Sequence, residues 1–263
     1  MNGSFKSNLK PFFSKGLNEI VITKPANLER LKLISDEMNL PYDPEMVRVL
    51  LSATNYSPPE IIGEIESPES LKHPEKTYLA YGSSITSGGS ANLQEFNYPA
   101  LLARKLGAER LSFGFSGSAK LEKEMADYIA SLKGIDYITM ELGVNLSWDV
   151  ANNCWGDPVK FRELVEYFVP TIAEAHKDIP IICTDLFLNA NDFFRDQTIF
   201  AFRDVVREVA LRMERKYRKF KYVQGNDLLT IYDGLNYDVL HPNAIGMVDI
   251  SDNLYREFIK LKS

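Results

Sequence analysis

From Lys76 onward the chain alternates short β-prone apolar runs with stretches of helical period. That alternation constrains the fold more than any other feature of the sequence. Five runs read as strands: the segment through Thr77, Tyr78, Leu79 and Tyr81, then 110–115, 135–142, 179–187 and 221–223. Between and after them lie five helical patterns. The first spans 98–106, with Pro99 in its first turn and Gly107 past its end. The second carries Leu121, Met125, Ile129 and Leu132 at helical spacing and closes at Gly134. The third has Phe161, Leu164, Val165, Phe168 and Ile172 on one face, with Pro170 expected to kink it. The fourth is marked by Ile199, Phe202, Val206, Val209 and Met213, and the fifth spans 244–261. Strands and helices in alternation imply a parallel sheet between two helical layers, and right-handed crossovers restrict it to a doubly wound topology. All strand carboxyl ends then share one edge.

Residues 1–75 read differently. Prolines 25, 41, 44, 58, 59, 68 and 74 punctuate them, so long regular elements are not expected. Short strands are read at 21–23 and 47–51, with a short helix over 28–38 between them. The chain is therefore divided into a small irregular β-containing module, 1–75, and a main α/β domain, 76–263.

Composition excludes several classes. A net charge of −6 argues against general attraction to nucleic acid or an anionic membrane. No apolar run is long enough to span a bilayer, and the first sixteen residues lack the apolar centre of a signal peptide, so the expected compartment is the cytoplasm. The two cysteines, Cys154 and Cys183, form neither metal spacing nor a disulfide framework; Cys183 reads as a small core residue.

The polar residues at the strand ends carry the chemistry. The first strand breaks at Gly82 and delivers Ser83 and Ser84 to the sheet edge. A serine nucleophile needs a base, and the base needs an orienting group. Of the three histidines, His73 precedes the first strand and His176 ends a helix among charged residues. His241 stands before the last helix, three residues after Asp238. In a compact turn that spacing lets the carboxylate reach Nδ1 and leaves Nε2 for Ser84. Asp238 as a helix cap is the competing role. Attack on a carbonyl also needs donors for the developing oxyanion. Gly117 follows the second strand and Asn145 the third, and with the Ser84 N–H they make three donors. As turn formers, Gly117 and Asn145 would do no more than shape their own loops. Ser116 and Ser118 read as turn residues, and Glu141 as a buried carboxylate supporting the loops. Gly82 to Gly89 has neither a P-loop lysine nor a dinucleotide fingerprint, which disfavours nucleotide binding.

Gly82-Ser83-Ser84-Ile85-Thr86, Gly117, Gly143-Val144-Asn145 and Asp238-Val239-Leu240-His241 resemble, in order, the four sequence blocks of the SGNH hydrolase superfamily, the GDSL esterases and lipases. The resemblance covers 76 to about 250 and implies a flavodoxin-like three-layer α/β/α fold. It would make Ser84 the nucleophile, His241 the base, Asp238 its support, and Ser84, Gly117 and Asn145 the oxyanion hole. It implies no metal and no organic cofactor. Two positions depart from the common pattern: Ser83 stands where many members carry aspartate, though a Gly-Ser-Ser-Ile-Thr variant occurs, and Leu146 follows Asn145 where aspartate is common. The Gly-Ser-Ser-Ile-Thr subgroup often carries a preceding β-sandwich. Residues 1–75 are short for one and read as a remnant, or as a module that forms a homo-oligomer to cover exposed edges.

The expected activity is serine ester hydrolysis of a short acyl ester, with an O-acetylated sugar as first choice of substrate. The alternatives are a sugar O-acyltransferase, or a catalytically idle carbohydrate-binding protein on the same fold. Two long loops are expected to shape the pocket: 146–158, with Trp148 and Trp155, and 187–197, with Phe193, Phe194 and Arg195. The tryptophans suit a sugar ring or an acyl pocket, and equally the core of a lid.

Overall fold

The computed structural model describes residues 23–40, 42–46, 71–89, 91, 94–149 and 154–262. Two compact units divide the chain, Met1–Glu75 and Lys76–Ser263. In the first, α1 spans Leu28–Glu37. The Asp43 N–H donates to the Lys72 carbonyl and Lys72 Nζ to Asn39 Oδ1, which ties the two described stretches together. The strands read at 21–23 and 47–51 lie outside the described residues, apart from Thr23, which is not in a strand.

The second unit runs β1 Lys76–Gly82, α2 Ser84–Ser87, α3 Tyr98–Leu106, β2 Ala108–Gly114, α4 Lys123–Ser131, β3 Tyr137–Glu141 and α5 Val144–Ser147. It continues with α6 Pro158–Ala175, β4 Ile181–Thr184, α7 Ala190–Phe194, α8 Gln197–Lys216, β5 Phe220–Val223, α9 Gly225–Leu228 and α10 Ala244–Lys262. The five strands form one parallel sheet in the order β2-β1-β3-β4-β5, the flavodoxin-like order. Its switch point lies between β1 and β3, whose connections leave in opposite directions along the sheet.

Alternation along the central strands fills both faces. Leu79, Tyr81, Ile138 and Met140 pack with Ile129 of α4, Phe161, Val165 and Phe168 of α6, and Phe202 and Val206 of α8. Tyr78, Ala80 and Ile182 pack on the other face with Leu102 of α3 and Ile250, Leu254 and Phe258 of α10. Tyr78, Leu79, Ala80 and Tyr81 are fully buried, as a central parallel strand covered on both faces must be.

Local signals fix some elements tightly. In α3, Asn97 caps the Ala100 N–H, Pro99 lies in the first turn, and Gly107 closes the helix at φ +62°. Others differ from the sequence reading. Leu121 is buried but stands before α4, at φ +59°, its N–H donating to the Tyr81 hydroxyl. Gly134 lies beyond the α4 end, in the turn before β3. α6 holds Pro170 inside it, as the sequence reading has it, and runs on to Ala175. His176 is buried at the end of α6: Nε2–H donates to the Ile129 carbonyl at 2.8 Å and ties that end to α4. Among the described residues no helix is long and apolar enough to cross a membrane.

Candidate active site

The turn after β1 presents Ser84. Gly82 ends the strand, and Ser83, in extended conformation, caps the single-turn helix α2 by accepting the Ile85 N–H at 3.1 Å. Ile85 is buried beneath the turn. The Ser84 carbonyl accepts from the Gly88 and Gly89 N–H groups, and Gly88 closes the turn at φ +85°. Ser84 is thus the first residue of a helical turn, where an N–H has no partner within the helix.

The loop before α10 presents His241. It is closed by an antiparallel bridge between Leu235 and Pro242 and by the Asn236 N–H donating to the His241 carbonyl at 2.7 Å. Asp238 Oδ1 accepts the Leu240 and His241 N–H groups, and its Oδ2 lies 2.6 Å from His241 Nδ1. Burial pushes the Asp238 carboxyl up, but these bonds outweigh it and hold the group below the usual carboxylate range. An ionised carboxylate only accepts, so Nδ1 carries the imidazole proton and Nε2 is an acceptor. Ser84 Oγ lies 2.7 Å from that Nε2, across 157 residues of chain. Asp238 does not cap α10. Asn243 takes that role, its Oδ1 accepting from the Ile245 and Gly246 N–H groups.

Between Asp238 and His241 the backbone passes through Val239 at φ +49°. A β-branched residue in the left-handed region costs about 1–3 kcal/mol, held in place by its surroundings. Here the Val239 N–H donates to the Asn236 carbonyl, and the Val239 carbonyl accepts the Ala190 N–H at the start of α7.

Gly117 and Asn145 stand at the ends of the strands flanking β1. The Phe115 N–H donates to the Gly82 carbonyl at 2.8 Å, which pins the β2 end beside the Ser84 turn. Gly117 has φ +69°, and a Cβ there would meet nothing within 4 Å, so backbone conformation and not space calls for glycine. Among the described residues its N–H has no partner. Asn145 Oδ1 accepts the Ala119 N–H at 3.1 Å, which fixes the amide orientation and leaves Nδ2 outward, without a partner among the described residues.

The carboxylate of Glu141 lies beneath the turn, where Oε2 accepts from the Ser83 N–H, the Ser83 hydroxyl and the Thr86 hydroxyl. Burial pushes its pKa up against those three bonds. The role of Thr86 was not legible in the sequence beyond its place in the pentapeptide.

The loop aromatics form two pairs. Trp148 and Trp155 face each other across a two-residue antiparallel ribbon, rings 5.2 Å apart and nearly perpendicular. Phe193 and Phe194, on α7, are exposed. Neither pair makes a hydrogen bond or ring contact with Ser84, Asp238 or His241 among the described residues. α7 is held from beneath by buried Arg203. Its guanidinium donates to the Leu186 and Phe187 carbonyls, to the Asp192 carboxylate and to Asn226 Oδ1. Asp185, at the end of β4, belongs to this buried cluster and accepts from the Tyr222 hydroxyl and the Gly225 N–H. Nothing local in the sequence signals the arginine that balances Asp185. A groove of about 920 Å³, lined by Tyr222, Val223, Leu228, Tyr255 and Ile259 among others, includes none of Ser84, Asp238 and His241.

The model of the GDSL-like lipase/acylhydrolase family matches residues 75–260. Among curated proteins none matches the chain. Several solved structures share the fold. A candidate GDSL-like lipase from Bacteroides ovatus is 23% identical with a TM-score of 0.60, over 72% of this chain and 55% of that one. A salicylyl-acyltransferase from a tetracycline biosynthetic pathway is 23% identical with a TM-score of 0.57, over 73% and 57%. A family two carbohydrate esterase with a carbohydrate-binding domain, from Corynascus thermopiles (Myceliophthora fergusii), is 14% identical with a TM-score of 0.57, over 76% and 69%. The matched regions are little more than half the length of the first two of these proteins.

Proposed function

Since the chain belongs to the GDSL-like lipase/acylhydrolase family, we propose that it is a carboxylic ester hydrolase that cleaves short acyl esters through an acyl-enzyme on Ser84, with an O-acetylated carbohydrate as substrate. One observation carries the reading: Ser84 Oγ lies 2.7 Å from His241 Nε2 while Asp238 holds Nδ1 at 2.6 Å. His241 takes the hydroxyl proton as Ser84 Oγ attacks the ester carbonyl. Asp238 stabilises the imidazolium that results. The carbonyl oxygen becomes an oxyanion facing the N–H groups of Ser84 and Gly117 and the Asn145 amide. Collapse breaks the bond to the alcohol, which leaves with the proton from His241. Water, deprotonated by the same imidazole, then releases the acid and restores Ser84.

The carbohydrate part rests on likeness to esterases that act on carbohydrate, and on the paired Trp148 and Trp155 rings in the loop after Asn145. Phe193 and Phe194, exposed on α7, are the second candidate substrate contact. Hydrolysis of p-nitrophenyl acetate by the wild type, and its loss in a folded Ser84→Ala variant, test the mechanism. Turnover unchanged in that variant refutes it. A panel of acetylated sugars compared by kcat/KM tests the substrate.

Acyl transfer is the second reading, favoured by the likeness to a salicylyl-acyltransferase. A sugar hydroxyl would then replace water in the second step. Product analysis with an added acceptor separates the two.

A further inference from the structure

Three of the five residues in Gly82-Ser83-Ser84-Ile85-Thr86 are shaped around one buried carboxylate. A Cβ on Gly82 would lie 2.5 Å from Glu141 Oε2 and 2.2 Å from Thr86 Oγ1, so the glycine makes room for that bond. Ser83 donates to Oε2 twice, through its N–H at 2.7 Å and its hydroxyl at 2.8 Å. Thr86 donates to the same oxygen at 3.0 Å. The other two residues do different work: Ser84 carries the reacting hydroxyl and Ile85 fills the core.

The proton directions are fixed. Ser83 Oγ gives its proton to Glu141 and accepts the Ile85 N–H. Thr86 Oγ1 gives its proton to Glu141, so in the 2.6 Å bond between Thr86 and Tyr98 it is the buried Tyr98 hydroxyl that donates. The Ser83 N–H, the Ser83 hydroxyl and the Thr86 hydroxyl therefore all point to one oxygen, Oε2. Oε1 of the same carboxylate is buried and has no partner among the described residues. A buried carboxylate is often no better a stabiliser than an apolar filler of similar volume. Retaining it fits a group kept for what it holds in place.

We infer that Glu141 is a positioning residue for the nucleophile: by binding the residues on both sides of Ser84, it fixes where the Ser84 hydroxyl stands relative to His241. This rests on the reading of Ser84 as nucleophile. Glu141 touches no reacting atom. Its three acceptor bonds span the turn from residue 83 to residue 86, so weakening them releases the turn without changing the substrate pocket.

The test uses the full chain with p-nitrophenyl acetate turnover and the second-order rate of labelling by a fluorophosphonate. Both are read per folded protein, well below the melting temperature. Glu141→Gln keeps the shape and loses the charge; kcat and labelling should fall about 10- to 100-fold with KM within about twofold. Thr86→Val removes the bond to Glu141, and with it the acceptor of the Tyr98 hydroxyl, at similar volume and should lower kcat, while Thr86→Ser restores the hydroxyl and should recover most of it. A folded Glu141→Gln protein with kcat and labelling within about twofold of wild type overturns the inference, as does a loss confined to KM. If Glu141→Gln does not fold, the Thr86 pair decides: equal kcat in Thr86→Val and wild type overturns it, and a loss rescued by serine supports it. A wild type that neither hydrolyses nor labels defeats the nucleophile itself. A wild type that labels while Glu141→Gln is unaffected defeats only the role given to Glu141.

Discussion

Replacing Asn145 separates an oxyanion donor from a loop brace, because the two roles predict opposite orders for two variants. Asn145 Oδ1 is occupied by the Ala119 N–H, and Nδ2 is the free donor. Asn145→Ala removes both groups. The Ala119 N–H keeps its second acceptor, the Phe115 carbonyl at 3.2 Å, so the loss of stability should stay near 1 kcal/mol. Loss of one oxyanion donor should lower kcat about 10²- to 10³-fold, about 3–4 kcal/mol of transition-state stabilisation. Asn145→Asp preserves the acceptor for Ala119 but turns a carboxylate oxygen toward the place where negative charge develops. It should be less active than alanine while matching or exceeding it in stability.

If Asn145 served only to brace the loop, aspartate would be the milder change in both respects. The assay is kcat for p-nitrophenyl acetate beside thermal unfolding for the three proteins. An aspartate variant more active than alanine, or an alanine variant within about tenfold of wild type, refutes the donor role.

Asp238→Asn should lower kcat by about 10⁴, since an amide can present its NH2 to Nδ1 and favour the wrong tautomer; activity within about tenfold of wild type would contradict this. Because Asp238 titrates below the usual carboxylate range, acid loss of wild-type activity near neutral pH should not be its protonation, and a pH–rate profile with its acid limb at an ordinary carboxylate value would contradict that. Burial pushes Asp185 up to about 6, against the Tyr222, Gly225 and Arg203 groups that favour its charge. Between about pH 4 and 6 the folded state then holds a proton that the unfolded state has lost, so stability falls as pH rises. Urea unfolding of wild type should lose up to about 3 kcal/mol relative to Asp185→Asn across that window; a constant difference would refute the shift. On the edge strand β5, the Tyr222 N–H is covered by the Glu214 carboxylate at 2.9 Å, and the Phe220 N–H by the Tyr217 carbonyl. Glu214→Ala should cost about 1 kcal/mol and promote concentration-dependent association, read by light scattering; unchanged stability and size would show that the edge needs no such cover.

What the sequence makes legible is what local rules determine. α3 carries its own cap, its own proline and its own closing glycine, and its ends follow from them. The order of the chemistry was readable because only three histidines compete. Long-range polar contacts set the rest. The apolar run 179–187 gives a strand, but β4 stops at Thr184 because the Leu186 and Phe187 carbonyls turn away to the Arg203 guanidinium. The orientation of Asn145 depends on Ala119, and the partners of Glu141 lie 55 to 58 residues away. Val239 carries no signal for a left-handed backbone, being β-branched. The serine at position 83 also finds its reason here: its hydroxyl donates to the Glu141 carboxylate at 2.8 Å, where a second carboxylate would be repelled.

The sheet order explains why the base is the difficult partner to place. β2, β1 and β3 are neighbours, so the three candidate oxyanion donors come from adjacent strand ends centred on Ser84. His241 arrives after β5, three strand spacings or about 14 Å from β1 in the sheet. The segment from β5 to α10 must cross that span and still hold a 2.7 Å bond to Ser84. It does so with a rigid turn rather than a long side chain. Asp238 closes the turn, Asn243 fixes its exit, and the Val239 carbonyl rests on the N–H of Ala190. Ala190 in turn opens α7, which Asp192 and Arg203 tie to the end of β4. The turn that carries His241 thus rests on the loop after β4, which the buried Arg203 cluster holds without touching Ser84, Asp238 or His241.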